Sequence, residues 1–253
     1  MKLALIGLGA INRAVAVGMA GQAEMVALTR SGAEAPEVMA VSDLSALRAF
    51  APDLVVEAAG HGAARAYLPD LLAAGIDVLM ASVGVLADPE TEAAFRAAPA
   101  HGAQLTIPAG AIGGLDLLAA LPKNSLRAVR YTGIKPPAAW AGSPAAGGRD
   151  LSALDGPVTL FEGTARQAAL RFPRNANVAA TLALAGAGFD KTEARLVADP
   201  DAAGNSHAYD VISDTAEMTF SVRARPSDTP GTSATTAMSL LRAIRNRDAA
   251  WVV

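Results

Sequence analysis

The residues with the clearest chemistry lie in the first dozen positions of the chain. Gly7 and Gly9 follow directly after the apolar run Lys2–Ile6, and a helical pattern begins at Ala10 and Ile11. Glycines at these positions allow a tight turn, and the start of the helix offers unpaired N–H groups and the positive end of its dipole. The stretch predicts a site for an anion such as the pyrophosphate of a dinucleotide. An ordinary glycine-rich turn between a strand and a helix would show the same pattern.

Two positions near this turn depart from the usual dinucleotide-binding pattern. Asn12 stands where a third glycine would allow close packing, so we expect a slightly wider approach of helix and strand. About 20 residues beyond the glycines, an acidic residue often binds the ribose hydroxyls. The sequence has Arg30 and Ser31 there instead. A guanidinium and a hydroxyl suit a 2′-phosphate, which favours NADP, or use of both NAD and NADP, unless Arg30 is a solvated loop residue.

Three histidines, His61, His101 and His207, are the side chains suited to proton transfer near neutral pH. His61 follows a predicted strand at the sheet edge where ligands bind, so it is a candidate cofactor contact or an ordinary loop residue. His207 follows Asn205 and Ser206 in a predicted polar loop, from which it either reaches a ligand or faces solvent. The histidines lack metal-ligand spacing and the chain has no cysteine, so no metal site is predicted.

The composition is that of a globular protein without nucleic-acid or membrane partners. Of the 253 residues, 52% are apolar and 18% are charged, and the net charge is −3. A chain of this balance has no basic surface for nucleic acid or anionic lipid. The longest nearly uncharged stretch, Ala176–Phe189, is too short for a membrane span, and the N-terminal residues do not resemble a signal peptide. Together with the lack of cysteine, this predicts a cytoplasmic protein.

The first 108 residues alternate strands with helices, a pattern typical of a parallel α/β sheet. Strands are predicted at Lys2–Ile6, Met25–Thr29, Val38–Val41, Asp53–Ala58, Asp77–Ala81 and Gln104–Ile107. The intervening helices are predicted at Ala10–Met19, from Ser42 or Asp43 through Phe50, at Ala64–Ala74 and at Glu90–Ala98.

After Pro108 the pattern changes to that of a mostly antiparallel, open sheet with helices on one face. Strands are predicted at Arg127–Lys135, Thr159–Thr164, Glu193–Ala198, Tyr209–Ser213 and Glu217–Arg225. Helices are predicted at Leu115–Ala120, Ala165–Phe172, Asn177 to about Ala187 and Thr232–Arg245, and residues 136–155 form a predicted loop or lid.

Ten separated motifs follow one another in an order typical of one family. They are Gly7–Ile11, Asp53–Ala59, Ala81–Asp88, Pro108–Asp116, Lys135–Pro137, Phe161–Arg166, Phe172–Thr181, Asp190–Thr192, Ala198–Pro200 and Asn205–His207. This ordered set resembles the L-aspartate dehydrogenase family, and the resemblance covers nearly the full length of the chain.

The resemblance implies a two-domain α/β protein. A Rossmann dinucleotide-binding domain over residues 1–108 is joined by a C-terminal helix over 231–253. An α+β domain with a mostly antiparallel open sheet, over 109–230, carries the substrate site and the oligomer interface. The implied reaction oxidises L-aspartate with NAD(P)+ to iminoaspartate, which either hydrolyses to oxaloacetate and ammonia or feeds NAD biosynthesis. The implied assembly is a homodimer.

The resemblance also assigns roles to individual residues. His207 matches the catalytic histidine, and its proton transfers would assist loss of hydride from the substrate. Ala111 and Asn177 match cofactor-binding positions, where Asn177 could bind the nicotinamide or ribose, cap its helix, or do both. Because aspartate has two carboxylates, the substrate site needs cations or N–H donors. Candidates for this role are Lys135, Arg174 and Asn205.

Two other interpretations remain open at this stage. The chain could be another two-domain Rossmann reductase, similar to homoserine dehydrogenase or dihydrodipicolinate reductase, although Asn205–His207 argues against this. It could also be a sensor that binds NAD(P) without turnover, which would keep the glycine turns but would not require His207.

Overall fold

A computed structural model describes residues 1–30, 32–225 and 234–252. The chain divides into two compact units. Unit 1 comprises Met1–Val85, Pro89–Gly110 and the segment that begins at Ala234, and unit 2 comprises Leu86–Asp88 and the segment that begins at Ala111. Ser31 and the predicted first residues of the last helix, 231–233, lie outside the described residues.

Unit 1 contains a parallel sheet of six strands. They are β1 (Lys2–Ile6), β2 (Glu24–Leu28), β3 (Val38–Val41), β4 (Leu54–Glu57), β5 (Val78–Met80) and β6 (Leu105–Thr106). Their order across the sheet is β3-β2-β1-β4-β5-β6. This is the order of a doubly wound, Rossmann-type sheet, in which ligands bind beyond the carboxyl ends of the strands where the order reverses, here between β1 and β4. The fold predicted for the first half is confirmed.

Four helices connect these strands. They are α1 (Ala10–Met19), α2 (Leu44–Ala49), α3 (His61–Ala73) and α4 (Pro89–Ala97). The Asp43 carboxylate accepts a hydrogen bond from the backbone N–H of Ala46 and so caps α2. Helix α3 begins at His61, three residues earlier than the sequence pattern predicted, so His61 is a helix-terminal residue and the loop prediction was wrong.

Unit 2 contains a five-stranded sheet. Its strands are β7 (Leu126–Lys135), β8 (Val158–Thr164), β9 (Thr192–Ala198), β10 (Ser206–Ser213) and β11 (Glu217–Arg223), in the order β11-β10-β7-β9-β8. Among the strand pairs of the described residues in this sheet, only β7–β9 is parallel. The helices α5 (Leu115–Ala120), α6 (Ala165–Arg171) and α7 (Asn177–Ala185) accompany this sheet, and α7 packs on β7 and β9. The predicted mostly antiparallel second domain is confirmed.

The last described helix, α8 (Ala234–Asn246), belongs to unit 1 and packs on α1. Leu240 and Ile244 are buried in the same apolar cluster as Val15 and Met19 of α1. The two helices approach closely, because a Cβ on Gly18 would lie 2.6 Å from a methyl carbon of Leu241. None of the helices in the described ranges has the length and hydrophobicity needed to cross a bilayer.

Candidate functional site

The glycine turn between β1 and α1 has the geometry of an anion-binding turn. Gly7 has a φ of 79°, which disfavours any side chain, and a Cβ there would lie only 2.6 Å from the Cβ of Ala59. Gly9 is the N-cap of α1, no side chain caps the helix, and its first turn contains no acidic residue. The N–H groups and the positive dipole end of α1 are therefore available to a phosphate, and the turn fits a dinucleotide.

Asn12, which stands where the usual pattern has a third glycine, stabilises this turn through hydrogen bonds of its side chain. Its side chain is fully buried, and its Nδ2 donates hydrogen bonds to the carbonyl oxygens of Ile6 at 3.0 Å and Gly7 at 2.7 Å. These carbonyls lie where β1 ends and the turn begins. The amide thus supplies donors to a buried backbone segment that a third glycine could not supply.

We expect Asn12→Ala to lower the free energy of unfolding by about 1–3 kcal/mol, because the buried carbonyl of Ile6 and the partly buried carbonyl of Gly7 lose their donor. Denaturant unfolding of the wild type and the variant measures this difference. Asn124→Ala, at an exposed asparagine in unit 2, is the matched control and should leave the value nearly unchanged. Equal losses in both variants would contradict the role of Asn12.

Glu57 is a buried carboxylate at the end of β4, and the sequence analysis did not assign it a role. Its Oε1 accepts hydrogen bonds from the backbone N–H groups of Ala59 at 2.8 Å and Gly60 at 2.9 Å, and from the Ser82 hydroxyl at 2.8 Å. Its Oε2 accepts from the backbone N–H of Ser82 at 3.1 Å. Burial raises the pKa of Glu57, and these donors oppose the shift. Glu57 fixes the turn that abuts Gly7.

The remaining sequence-predicted cofactor residues of unit 1 lie at the ends of strands and helices. Arg30 is exposed and lies two residues after β2. His61 is half-buried at the start of α3, directly after Gly60, whose φ is 109°. Ala10 and Ile11 form the first turn of α1 and are half-buried. Ser31, the other predicted contact of a 2′-phosphate, lies outside the described residues.

His207 lies in unit 2 on β10, so the prediction of a polar loop was wrong. The strand begins at Ser206, because these polar residues continue the antiparallel pairing with β7, where His207 stands opposite Gly133. His207 is only 6% exposed, and its Nδ1 lies 2.8 Å from the hydroxyl of Tyr131. Within the described parts of the chain, Nε2 makes no hydrogen bond. Burial, with a smaller contribution from the charge of Lys135, lowers the pKa of His207 to about 4.

Lys135 is a buried ammonium on the same strand as Tyr131. It is 6% exposed, and its Nζ donates to Asn175 Oδ1 at 2.8 Å and lies 5.2 Å from the centre of the Trp140 ring. Asn175 in turn donates from Nδ2 to the Ser143 hydroxyl at 3.1 Å. Among the described residues, no carboxylate forms an ion pair with Lys135. Burial lowers its pKa to about 8, so the site favours an incoming anion.

The other predicted residues of unit 2 differ in their surroundings. Ala111 is buried in the glycine-rich turn before α5, where the Tyr209 hydroxyl donates to the carbonyl oxygen of Gly113 at 2.9 Å. Asn177 is the first residue of α7 and Ala176 is the N-cap, so the alternative that Asn177 caps this helix is wrong, and its cofactor role stays a prediction. Arg174 is exposed and Asn205 is half-buried just before β10.

Three functional candidates were missed by sequence reasoning: Glu57, Tyr131 and Asn175. Glu57 carries a visible signal, since it is the one charged residue within the apolar run of β4. Tyr131 and Asn175 carry none, because their partners His207 and Lys135 are distant in the sequence. In the described ranges, no group of three or more His, Asp or Glu side chains is placed to hold a metal ion.

Comparison with known proteins identifies relatives along the whole chain. A family profile described as "Aspartate dehydrogenase, C-terminal" matches residues 116–247, and one described as "Homoserine dehydrogenase, NAD binding domain" matches residues 7–108. The chain is 46% identical to L-aspartate dehydrogenase of Ruegeria pomeroyi, covering 99% of this chain and 94% of the relative. It is 43% identical to L-aspartate dehydrogenase 2 of Bordetella pertussis, covering 100% and 98%.

A solved structure of an aspartate dehydrogenase is also similar to this chain over its full length. The crystal structure of aspartate dehydrogenase from Thermotoga maritima matches with a TM-score of 0.80 at 28% identity, covering 100% of this chain and 99% of the other. The Rossmann-type unit and its NAD-binding profile define a pyridine-nucleotide-dependent oxidoreductase. Within this class of oxidoreductases, the profile that matches the second unit and the full-length relatives both indicate aspartate dehydrogenases. The chain belongs to the L-aspartate dehydrogenase family, which confirms the resemblance found in the sequence.

Proposed function

We propose that the protein oxidises L-aspartate to iminoaspartate with NAD(P)+, and that iminoaspartate is then hydrolysed to oxaloacetate and ammonia or passed to NAD biosynthesis. The observation that carries this proposal is the presence of two buried groups, Lys135 and His207, in one sheet of unit 2, in a chain of this family. A buried ammonium without a carboxylate partner suits a carboxylate substrate, and a buried neutral imidazole suits the amine beside it.

His207 is proposed to be the catalytic residue. Burial lowers its pKa to about 4, so the imidazole is neutral at pH 7 and has an unprotonated ring nitrogen to offer to the substrate ammonium. Its Nδ1 is engaged with Tyr131, so Nε2 is the ring nitrogen left for the substrate. Once the proton taken from the substrate ammonium has been released to solvent, the neutral imidazole can accept a proton from the water that adds to the imine.

Lys135 is proposed to bind one substrate carboxylate. The Asn175 contact and the Trp140 ring hold the ammonium in place, which lowers the entropy lost when a carboxylate binds. Arg174 and Asn205 are further candidates for substrate contacts, since one cation leaves the second carboxylate of aspartate to other donors.

The cofactor supplies the hydride acceptor, and this chain's residues would hold it in unit 1. The turn at Gly7 and Gly9 and the first helical residues, Ala10 and Ile11, would bind the pyrophosphate, as the uncapped start of α1 supports. His61, at the adjacent turn, is a further candidate contact. In unit 2, Ala111 and Asn177 are proposed contacts, Ala111 through its backbone and Asn177 through its amide.

The test is nicotinamide absorbance with purified protein and L-aspartate, measured in parallel with NAD+ and NADP+. The proposal expects reduction of at least one cofactor and, in reverse, its oxidation with oxaloacetate and ammonia. Absence of turnover in both directions, with cofactor binding retained, would contradict it and favour a nucleotide-binding sensor. Assembly as a homodimer stays a prediction that light scattering can check.

NADP, or dual use of NAD and NADP, is the proposed cofactor preference because Arg30 follows β2 where an acidic residue is absent. We expect Arg30→Ser to raise the KM for NADP+ by about 10- to 100-fold, the cost of losing charge-assisted hydrogen bonds to a 2′-phosphate. The KM for NAD+, measured in the same preparation, should change little. Arg48→Ser, at an exposed arginine in the last turn of α2, is the control. Equal increases for both cofactors would contradict the assignment.

A further inference from the structure

The side chain of Tyr131 lies along its own strand, over Gly133. A Cβ added to Gly133 would stand 2.5 Å from the Tyr131 hydroxyl oxygen and 3.1 Å from Cζ of the ring. Gly133 is not in a left-handed conformation, so its lack of a side chain serves space and not backbone freedom. Because Gly133 pairs with His207 across the sheet, this space lets the phenol reach the imidazole.

The two rings form a buried pair with one polar contact between them. Tyr131 Oη and His207 Nδ1 are 2.8 Å apart, and the ring planes differ by 18° with centroids 6.1 Å apart. Burial raises the pKa of Tyr131, so it stays a neutral phenol. The charged group that acts on His207 is Lys135 on β7. Strand β11 places Val222 opposite His207, and α7 carries no charged residue.

A base at Nε2 requires that nitrogen to be unprotonated, so the neutral ring must carry its proton on Nδ1. We propose that Tyr131 is a positioning residue that holds His207 as the Nδ1–H tautomer, with the Nε2 lone pair directed to the substrate amine. This inference rests on the proposed function. The substrate ammonium gives its proton to Nε2, and the resulting imidazolium keeps its Nδ1–H donated to Tyr131 Oη. No bond to Tyr131 forms or breaks.

The tautomer is tested directly by ¹⁵N NMR of histidine-labelled protein, which needs no turnover. The spectrum of His207→Ala identifies the signal of His207 by its absence. In the wild type at pH 7, Nδ1 of His207 should be protonated and Nε2 unprotonated. In Tyr131→Phe the signal should shift towards the Nε2–H tautomer or a mixture. A wild-type ring protonated at Nε2, or a tautomer unchanged in Tyr131→Phe, would overturn the proposal.

Kinetics separate positioning from a general structural role. Tyr131→Phe should lower kcat roughly 10- to 100-fold, which is smaller than the loss expected when the general base itself is removed. The KM for aspartate should stay nearly unchanged. In the His207→Ala background, Tyr131→Phe should have no further effect on kcat, because Tyr131 acts through the imidazole. Additive losses in the double variant would overturn the proposal. Tyr67→Phe, on α3, is the matched control.

Gly133→Ala tests the contact between Tyr131 and His207 without removing the Tyr131 hydroxyl. The added methyl group displaces the phenol from His207, so kcat should fall as in Tyr131→Phe. If this variant does not fold, Tyr131→Phe still decides the question. If the wild type does not turn over aspartate at all, the proposed function fails, while the NMR result still reports whether Tyr131 sets the tautomer.

Discussion

His207→Ala is expected to lower kcat for aspartate oxidation by about 10²- to 10⁴-fold, the usual contribution of a general acid–base group. The variant loses the proton acceptor for the substrate amine, while the glycine turn and Asn12 of unit 1 are untouched. Nicotinamide absorbance gives kcat, and titration of the reduced cofactor by fluorescence gives its Kd, which should stay within a few-fold of the wild-type value.

The control for this prediction is His101→Asn. His101 is exposed on a loop of unit 1 with a φ of 52°, a conformation that asparagine tolerates well. This variant should retain wild-type kcat. A His207→Ala enzyme with undiminished kcat would show that another group accepts the proton.

Lys135→Met is the second change with a large expected effect. We expect the KM for aspartate to rise about 10- to 100-fold, since a charge-assisted hydrogen bond contributes about 1.5–3 kcal/mol. Methionine nearly fills the space and removes a buried charge, so the free energy of unfolding should change little. A functional loss without a loss of stability separates substrate binding from a structural role. Lys123→Met, at an exposed lysine, is the matched control.

The same residue gives a pH signature. Since burial lowers the pKa of Lys135 to about 8, its ammonium is charged below that pH and becomes neutral as the pH rises through it. In the wild type, kcat/KM for aspartate should therefore fall above about pH 8. The decline should be absent in Lys135→Met, and a decline of the same shape in that variant would assign it to another group.

Local patterns explain why much of the fold could be predicted. The strand Lys2–Ile6 and the helix Ala10–Met19 have the predicted limits, because apolar runs and glycines act over a few residues. The parallel sheet of unit 1 followed from alternating strands and helices. The glycine turn itself, with its positive φ at Gly7, could be located from sequence alone.

The site of unit 2 depends on pairing between distant segments, which local patterns do not show. His207 appears polar in its sequence neighbourhood, and only its pairing with Gly133 places it in a strand. The local sequence around Lys135 is compatible with a solvated lysine, whereas in the structure Asn175 and Trp140 contact its ammonium. The pKa of each group is lowered by burial, a tertiary property, so neither shift could be anticipated from the residue types.

The position of α8 has a consequence for the order in which the protein can fold during synthesis. Residues up to Gly110 emerge from the ribosome well before Ala234, with all of the intervening unit 2 segment made in between. At about 5–20 residues per second, this delay is on the order of 10 s. Until Leu240 and Ile244 arrive, the nascent Rossmann unit lacks part of its apolar cluster around α1. The nascent chain therefore leaves one apolar face of α1 uncovered until α8 is made, and the nucleotide-binding unit is completed last although most of it is translated first.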